Sequence, residues 1–80
     1  MNLDIITPDK KVYSGTATAV TLPGTEGQFQ ILNMHAPLVS TLGKGDVVIE
    51  TGHSRETYTI DGGVVEVLND KVVVLAEAII

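Results

Sequence analysis

The stretch DGGVVEVLNDKVVVLAE, residues 61–77, decides what kind of fold this chain can adopt. Val65 and Val67 fall on one side of an extended backbone, and Val64, Glu66 and Leu68 on the other. After Asn69-Asp70 the alternation resumes, with Val72, Val74 and Ala76 set against Val73 and Leu75. Strand side chains alternate between faces with a period of two, and β-branched residues suit that pleated surface. Asn-Asp between two such runs is a hairpin signal. The stretch therefore reads as a β-hairpin, entered through a tight turn at Gly62-Gly63, where backbone angles forbidden to other residues are open. Apolar residues on both faces imply cover on both sides. One face meets the domain's own core; the surplus on the other has to meet another element or another protein.

The same pattern runs outward through the chain. NLDIIT is a first strand, stopped by Thr7-Pro8-Asp9. TATAVTLPG alternates Thr16, Thr18, Val20 and Leu22 against Ala17, Ala19 and Thr21, and ends at Pro23-Gly24. GQFQIL sets Phe29 and Ile31 against Gln28 and Gln30. PLVSTL follows His35-Ala36; GKGD reads as a turn, DVVIETG as a strand, GHSR as a turn and ETYTID as a strand. With VVEVL and KVVVLAEAII this gives about eight short strands separated by turn signals, the pattern of a β-sandwich or small barrel. No segment keeps a helical period, and LAEAII is too short to nucleate a helix alone.

Length and composition agree with one domain over residues 1–80, 44% hydrophobic and dominated by Val, Ile and Leu. A domain of this size buries about 60% of its unfolded surface, so its stability is modest. The net charge of −5 comes from scattered acidic residues, and the few Lys and Arg form no basic patch. That argues against nucleic acid as a partner. The absence of cysteine excludes disulfides, thiolate metal sites and cysteine catalysis. VVVLAEAII contains Glu77 and is too short to span a bilayer. MNLDIITPDKK lacks the basic-then-apolar layout of a signal peptide.

Candidate chemistry is sparse. His35 could be a ligand, a base or an interface residue, or simply a loop histidine bonded to backbone. The other histidine, His53, lies in a separate turn, and no ligand set or nucleophile motif accompanies either. Pro37 fixes its own φ and biases Ala36 toward extended geometry, which stiffens the loop carrying His35. GTEG is a poor phosphate cradle, because no helix or GK[ST] follows and Glu26 repels phosphate; an exposed carboxylate on a strand connection could instead meet a cationic partner. GKGDVV brings to mind lipoyl and biotinyl carrier domains, but neither Lys44 nor Lys71 has the sequence setting of a modified lysine.

Taken in order, GxxGxFxIxxxHAPLxxxLxxGxVxI (residues 24–49) and DGGxxEVxxxxVxVLAE (residues 61–77) strongly resemble the epsilon subunit of F-type ATP synthases, and LDIITPDKKVYSG resembles that family's opening. The resemblance spans essentially the whole chain. It implies a flattened ten-stranded β-sandwich of two five-stranded sheets. It also implies a non-catalytic rotor subunit without a cofactor, packed on the gamma subunit and resting on the ring of membrane-embedded c subunits. By the same resemblance Glu26 and Gln28 face the c-ring, His35, Ala36, Pro37, Leu38 and Ser40 lie near the junction with gamma and the ring, and Thr7 lies on the gamma side. Met34 departs from the glycine or asparagine the family often has before this histidine. Family members usually continue into a two-helix hairpin, whereas this sequence stops at Ile80; it is expected to be either a naturally short epsilon chain or a truncated one, and a start at Met1 without a tag favours the first. Its expected place is peripheral, on the cytoplasmic face of a bacterial inner membrane.

Overall fold

The computed structural model describes residues 1–80. The elements are β1 (Asn2–Ile6), β2 (Lys11–Thr16), β3 (Ala19–Gly24), β4 (Gly27–Leu32), β5 (Leu38–Thr51), β6 (Ser54–Leu68) and β7 (Lys71–Ala76), with no helix. They form one seven-stranded sheet in the order β2-β1-β7-β6-β5-β3-β4. Only β1 and β7 pair in parallel; the other pairings are antiparallel.

The hairpin over residues 61–77 follows its alternation. Val65 pairs with Val74 and Val67 with Val72, and β1 extends these rows by placing Ile5 beside Val74 and Leu3 beside Val72. All six side chains are fully buried. Asn69 and Asp70 turn the chain with φ of 51° and 59°, the left-handed pair whose twist matches that of the flanking strands.

Two expected turns prove to be strand interior. GKGD and Gly62-Gly63 lie within β5 and β6, which stay paired from Leu38↔Val67 to Thr51↔Ser54. Leu42 faces Gly63 and Lys44 faces Asp61, so Gly43 stands against Gly62 and both strands bend there together without losing register. Gly63 and Gly45 serve close approach, not chain reversal. Gly63 has φ 154°, and a Cβ on it would run into the Leu75 carbonyl oxygen and lie 3.0 Å from Ala76 Cα. A Cβ on Gly45 would sit 2.7 Å from that of Pro23. A further strand, β2, was not expected. It is an edge strand with no fully buried residue, so its sequence carries no clear alternation. Two merged pairs and one added strand turn the eight expected strands into seven, and one continuous sheet stands where the resemblance implies ten strands in two.

Beyond the glycines each long strand offers its other face to the core. In β5 the buried positions change from Leu42 to Val47 and Ile49, and in β6 from Ile60 to Val65 and Val67, an even-to-odd switch in both. The first part of β5 and the last part of β6 join β7, β1 and β2; the remaining parts join β3 and β4. One cluster of 16 residues draws on both groups, including Leu3, Ile5, Val72 and Val74 from the first and Val20, Leu22, Ile31 and Ile49 from the second. The sheet thus folds over on itself as a β-sandwich. Tyr13 of one layer meets Tyr58 of the other edge to face, with centroids 6.0 Å apart. No polar side chain is buried, so the fold rests on aliphatic burial, about 1.5–3 kcal/mol for each fully buried Val, Leu or Ile.

Candidate functional site

The two outer faces differ sharply in chemistry. Around β3, β4 and the tip of the long hairpin, one outward row is Gln30, Thr21, Val48 and Thr57, and another includes Asp46 opposite Thr59. These groups satisfy one another: the Gln30 amide donates to Thr21 Oγ1 at 3.4 Å and the Thr59 hydroxyl to Asp46 at 2.7 Å. This face is built for water. The outer face around β1, β7, β6 and the start of β5 is not. Its rows are Thr41, Val64, Leu75 and Ile6, then Val39, Glu66, Val73 and Asp4. Val39 is 68% exposed, Leu68 52% and Leu75 49%. This is the surplus that the two-faced alternation of residues 61–77 predicts, and no element of the chain covers it.

Polar groups rim this apolar strip on the β1–β2 side. The Asp4 carboxylate accepts a hydrogen bond of 2.7 Å from the Ser14 hydroxyl and lies 3.9 Å from the Lys11 ammonium and 3.7 Å from that of Lys71. The Ser14 hydrogen bond, aided by the two lysines against partial desolvation, holds its pKa below the ordinary aspartate range. Thr7 closes the adjoining β1–β2 turn. Its N–H donates to Lys10 O at 2.9 Å and its hydroxyl accepts from the Lys10 N–H at 3.3 Å. It shares a shallow groove with Ile6, Pro8 and Leu75, so Thr7 stands at one corner of the apolar strip.

His35 lies in the connection between β4 and β5 and is exposed, its Nδ1 2.7 Å from the carbonyl of Ala36. That is the backbone-bonded loop histidine weighed among its readings. Pro37 leads directly into β5. Counting back from buried Leu42, the period of two turns Leu38 and Ser40 inward and Val39 outward. Accordingly Leu38 packs against the core cluster and is half-buried, as is Ser40. The most exposed apolar side chain of β5 is therefore Val39, which the sequence reading did not single out; its signal was the alternation from Leu42. Met34 is 80% exposed with φ 62°, and its N–H donates 2.8 Å to Asp70 Oδ1 in the β6–β7 turn.

Glu26 caps the β3–β4 turn, is exposed and has no ion pair. The turn is fixed from beneath, where Thr25 N–H donates to Thr41 O at 3.2 Å and the two threonine hydroxyls lie 2.7 Å apart. Gln28 follows on β4, paired with Pro23. Thr41 stands four positions beyond Pro37, about 13 Å along an extended strand. The structure therefore does not gather the expected interface residues at one point. Glu26 and Gln28 sit by the glycine bend, and residues 34–37 sit at the start of β5.

Catalytic chemistry finds no assembly. No three His, Asp or Glu side chains converge, and His53 is exposed at the tip of the β5–β6 hairpin. Lys44 is paired with Asp61 within β5, and Lys71 opens β7 beside Asp4. Lys44 lies mid-strand, and Lys71, although it flanks the β6–β7 turn, is drawn to Asp4, so the carrier alternative is not favoured.

The model of the ATP synthase delta/epsilon chain β-sandwich domain matches residues 1–80. Among curated proteins, the ATP synthase epsilon chain of Chlorobium limicola is 42% identical over 76 residues, covering 94% of this chain and 86% of that protein. The epsilon chain of Leptospira borgpetersenii is 39% identical, covering 96% and 61%. The chain spans 59 to 61% of the length of the epsilon chains of Leptospira borgpetersenii, Salinibacter ruber and Alkalihalophilus pseudofirmus. Among solved structures, a chain of the Euglena gracilis mitochondrial ATP synthase OSCP/F1/c-ring assembly superposes with a TM-score of 0.90 at 23% identity, covering 98% of this chain and 51% of that one. A chain of the Tetrahymena thermophila mitochondrial ATP synthase central stalk/c-ring superposes at 0.85 with 16% identity, covering 99% and 64%. At those identities the likeness is one of fold.

Proposed function

Since the chain belongs to the ATP synthase delta/epsilon chain β-sandwich family, we propose that it is a non-catalytic central-stalk subunit that links gamma to the c-ring and helps couple ion flow to ATP synthesis. The observation that carries this reading is the family match over residues 1–80. The asymmetry of the sandwich gives it physical sense, because an uncovered apolar face suits a lasting protein contact. The apolar strip of Val39, Leu68 and Leu75, with Thr7 at its corner, is assigned to gamma. His35, Ala36, Pro37, Leu38 and Ser40 are assigned to the edge where gamma and the ring meet, with Leu38 and Ser40 supporting that edge from within. Glu26 and Gln28 are assigned to a basic surface of the ring. The reading gives the chain no catalytic residue and no cofactor.

The ten-stranded description belongs to the same reading. With β5 and β6 each counted as two segments, and residues 77–80 added through the Ile60↔Ile79 bridge, the chain divides into two groups of five. Its proposed place is the periphery of the bacterial inner membrane, on the cytoplasmic side; no helix is long and apolar enough to cross a membrane.

The test is to mix the purified chain with gamma and run both on a sizing column. Co-migration is expected; separate elution of two folded proteins overturns the reading. The ring assignment has its own test in the double change Glu26→Lys, Gln28→Lys. An exposed ion pair is worth under about 1 kcal/mol, so both positions are changed together. Gamma binding should stay while attachment to the ring weakens, and normal proton-coupled synthesis in membranes bearing the double change rejects the assignment.

A further inference from the structure

We propose that Asp70, a residue of the β6–β7 turn distant in sequence from the interface loop, is the positioning residue that holds residues 33–37 in their docking shape. The inference rests on the gamma-binding reading and adds to it the origin of the loop's rigidity. Proline restrains only the loop's far end. Across residues 33–37 the one backbone N–H with a hydrogen-bond partner is that of Met34, and the partner is Asp70 Oδ1 at 2.8 Å. Met34 holds φ 62°, a conformation a methionine adopts only when its surroundings over-determine it. Asn33 is tied down through its side chain, its Oδ1 accepting from the N-terminal ammonium at 2.7 Å, but the Met34 N–H has only the Asp70 bond, since the His35 ring reaches no further than Ala36 O.

Asp70 is well placed to supply it. Its own φ of 59° is fixed by the two-residue turn, and its carbonyl accepts the Asn2 N–H at 3.0 Å. The backbone beneath the carboxylate is thereby anchored to β1 and β6 at once. A charged acceptor on an anchored backbone strengthens the bond and narrows its direction. The loop edge is thus held at the level of the apolar strip, with Met34 and His35 presented outward and Leu38 delivered to the core.

Asp70→Gly separates this role from turn formation, because Asn-Gly is itself a favoured two-residue hairpin turn and only the carboxylate is lost. Asp70→Asn keeps an acceptor at the same atom and is the conservative rescue. In Asp70→Gly the Met34 amide should exchange with deuterium about tenfold faster, and the full chain should bind gamma about tenfold more weakly, as loss of one charge-assisted hydrogen bond implies. Both variants lose the 3.8 Å pairing of Asp70 Oδ2 with the N-terminal ammonium and should share the resulting fall in thermal midpoint, whereas Asp70→Asn should restore most of the exchange and binding losses. Unchanged Met34 exchange and unchanged gamma binding in Asp70→Gly would overturn the proposal, as would equal losses in Asp70→Asn. If the unaltered chain fails to bind gamma, the functional reading falls by itself, and Met34 exchange still decides whether Asp70 holds the loop.

Discussion

Replacing Gly63 by alanine probes the bend on which the two-layer arrangement depends. At φ 154° an L-residue occupies a region nearly reserved for glycine, a cost of about 1–3 kcal/mol. The added Cβ also pushes on the Leu75 carbonyl and on Ala76 Cα, 3.0 Å away. β7 must then shift, which endangers the hydrogen bond from Glu77 N–H to Gly62 O, 3.0 Å in the native chain and worth about 1 kcal/mol. Together these come to about 3 kcal/mol, a large part of the roughly 4–12 kcal/mol available to a domain of this length. With a urea slope of about 1 kcal/mol/M the unfolding midpoint should fall by about 2–3 M. Gly43→Ala is the control. Its φ is not positive and the nearest atom to an added Cβ is Pro23 O at 3.9 Å. That variant should lie between no change and a gain of about 1 kcal/mol. Equal midpoints for the two variants, measured by circular dichroism in urea, would refute the reasoning.

Leu75→Lys combined with Val39→Lys should abolish co-migration with gamma while shifting stability by less than about 0.5 kcal/mol, as expected of exposed positions; undiminished co-migration would remove the apolar strip from the interface. The acid limb of stability should depend on Asp4. Its folded pKa is depressed, first by the Ser14 hydrogen bond and then by Lys11 and Lys71, so its contribution is complete above the unfolded value of about 3.9 and is lost as pH falls through the lower folded value. Asp4→Asn should flatten the pH profile of the thermal midpoint in that range. At the alkaline end Tyr58 behaves oppositely. Burial first, and then the neighbouring Glu56, raise its pKa, so its contribution is present below about pH 10 and is lost as pH rises through the folded value. Tyr58→Phe should remove that part of the alkaline decline.

What could be read in the sequence was local. The alternation of residues 61–77, the burial of Val20, Leu22 and Ile31, and the Asn69-Asp70 turn all follow from period and turn chemistry, and the structure keeps them. The glycines misled because a Gly-Lys-Gly-Asp run ending a strand and the same run bending one look alike. Which occurs depends on Gly63 lying against Leu75 and Ala76 of β7 and on Pro23 approaching Gly45, relations between distant segments. β2 went unseen because an edge strand with no fully buried residue leaves little alternation behind. At the candidate site, the order of residues 24–49 singled out segments by resemblance, but the outward turn of Val39 required the register from Leu42. The bond between Met34 and Asp70 joins residues brought together only by the completed sheet.

The parallel pairing of β1 with β7 also bears on how the molecule comes into being. Leu3 finds Val72 and Ile5 finds Val74, partners 69 positions apart in sequence. During synthesis the β1–β2 ribbon must wait, one edge bare, until β7 has left the ribosome. Closing so long a loop costs entropy before any contact offsets it, which places refolding on a scale of about milliseconds to seconds despite the small size. Through that interval the unsatisfied β1 edge is the part of the nascent protein most open to pairing with a stray strand.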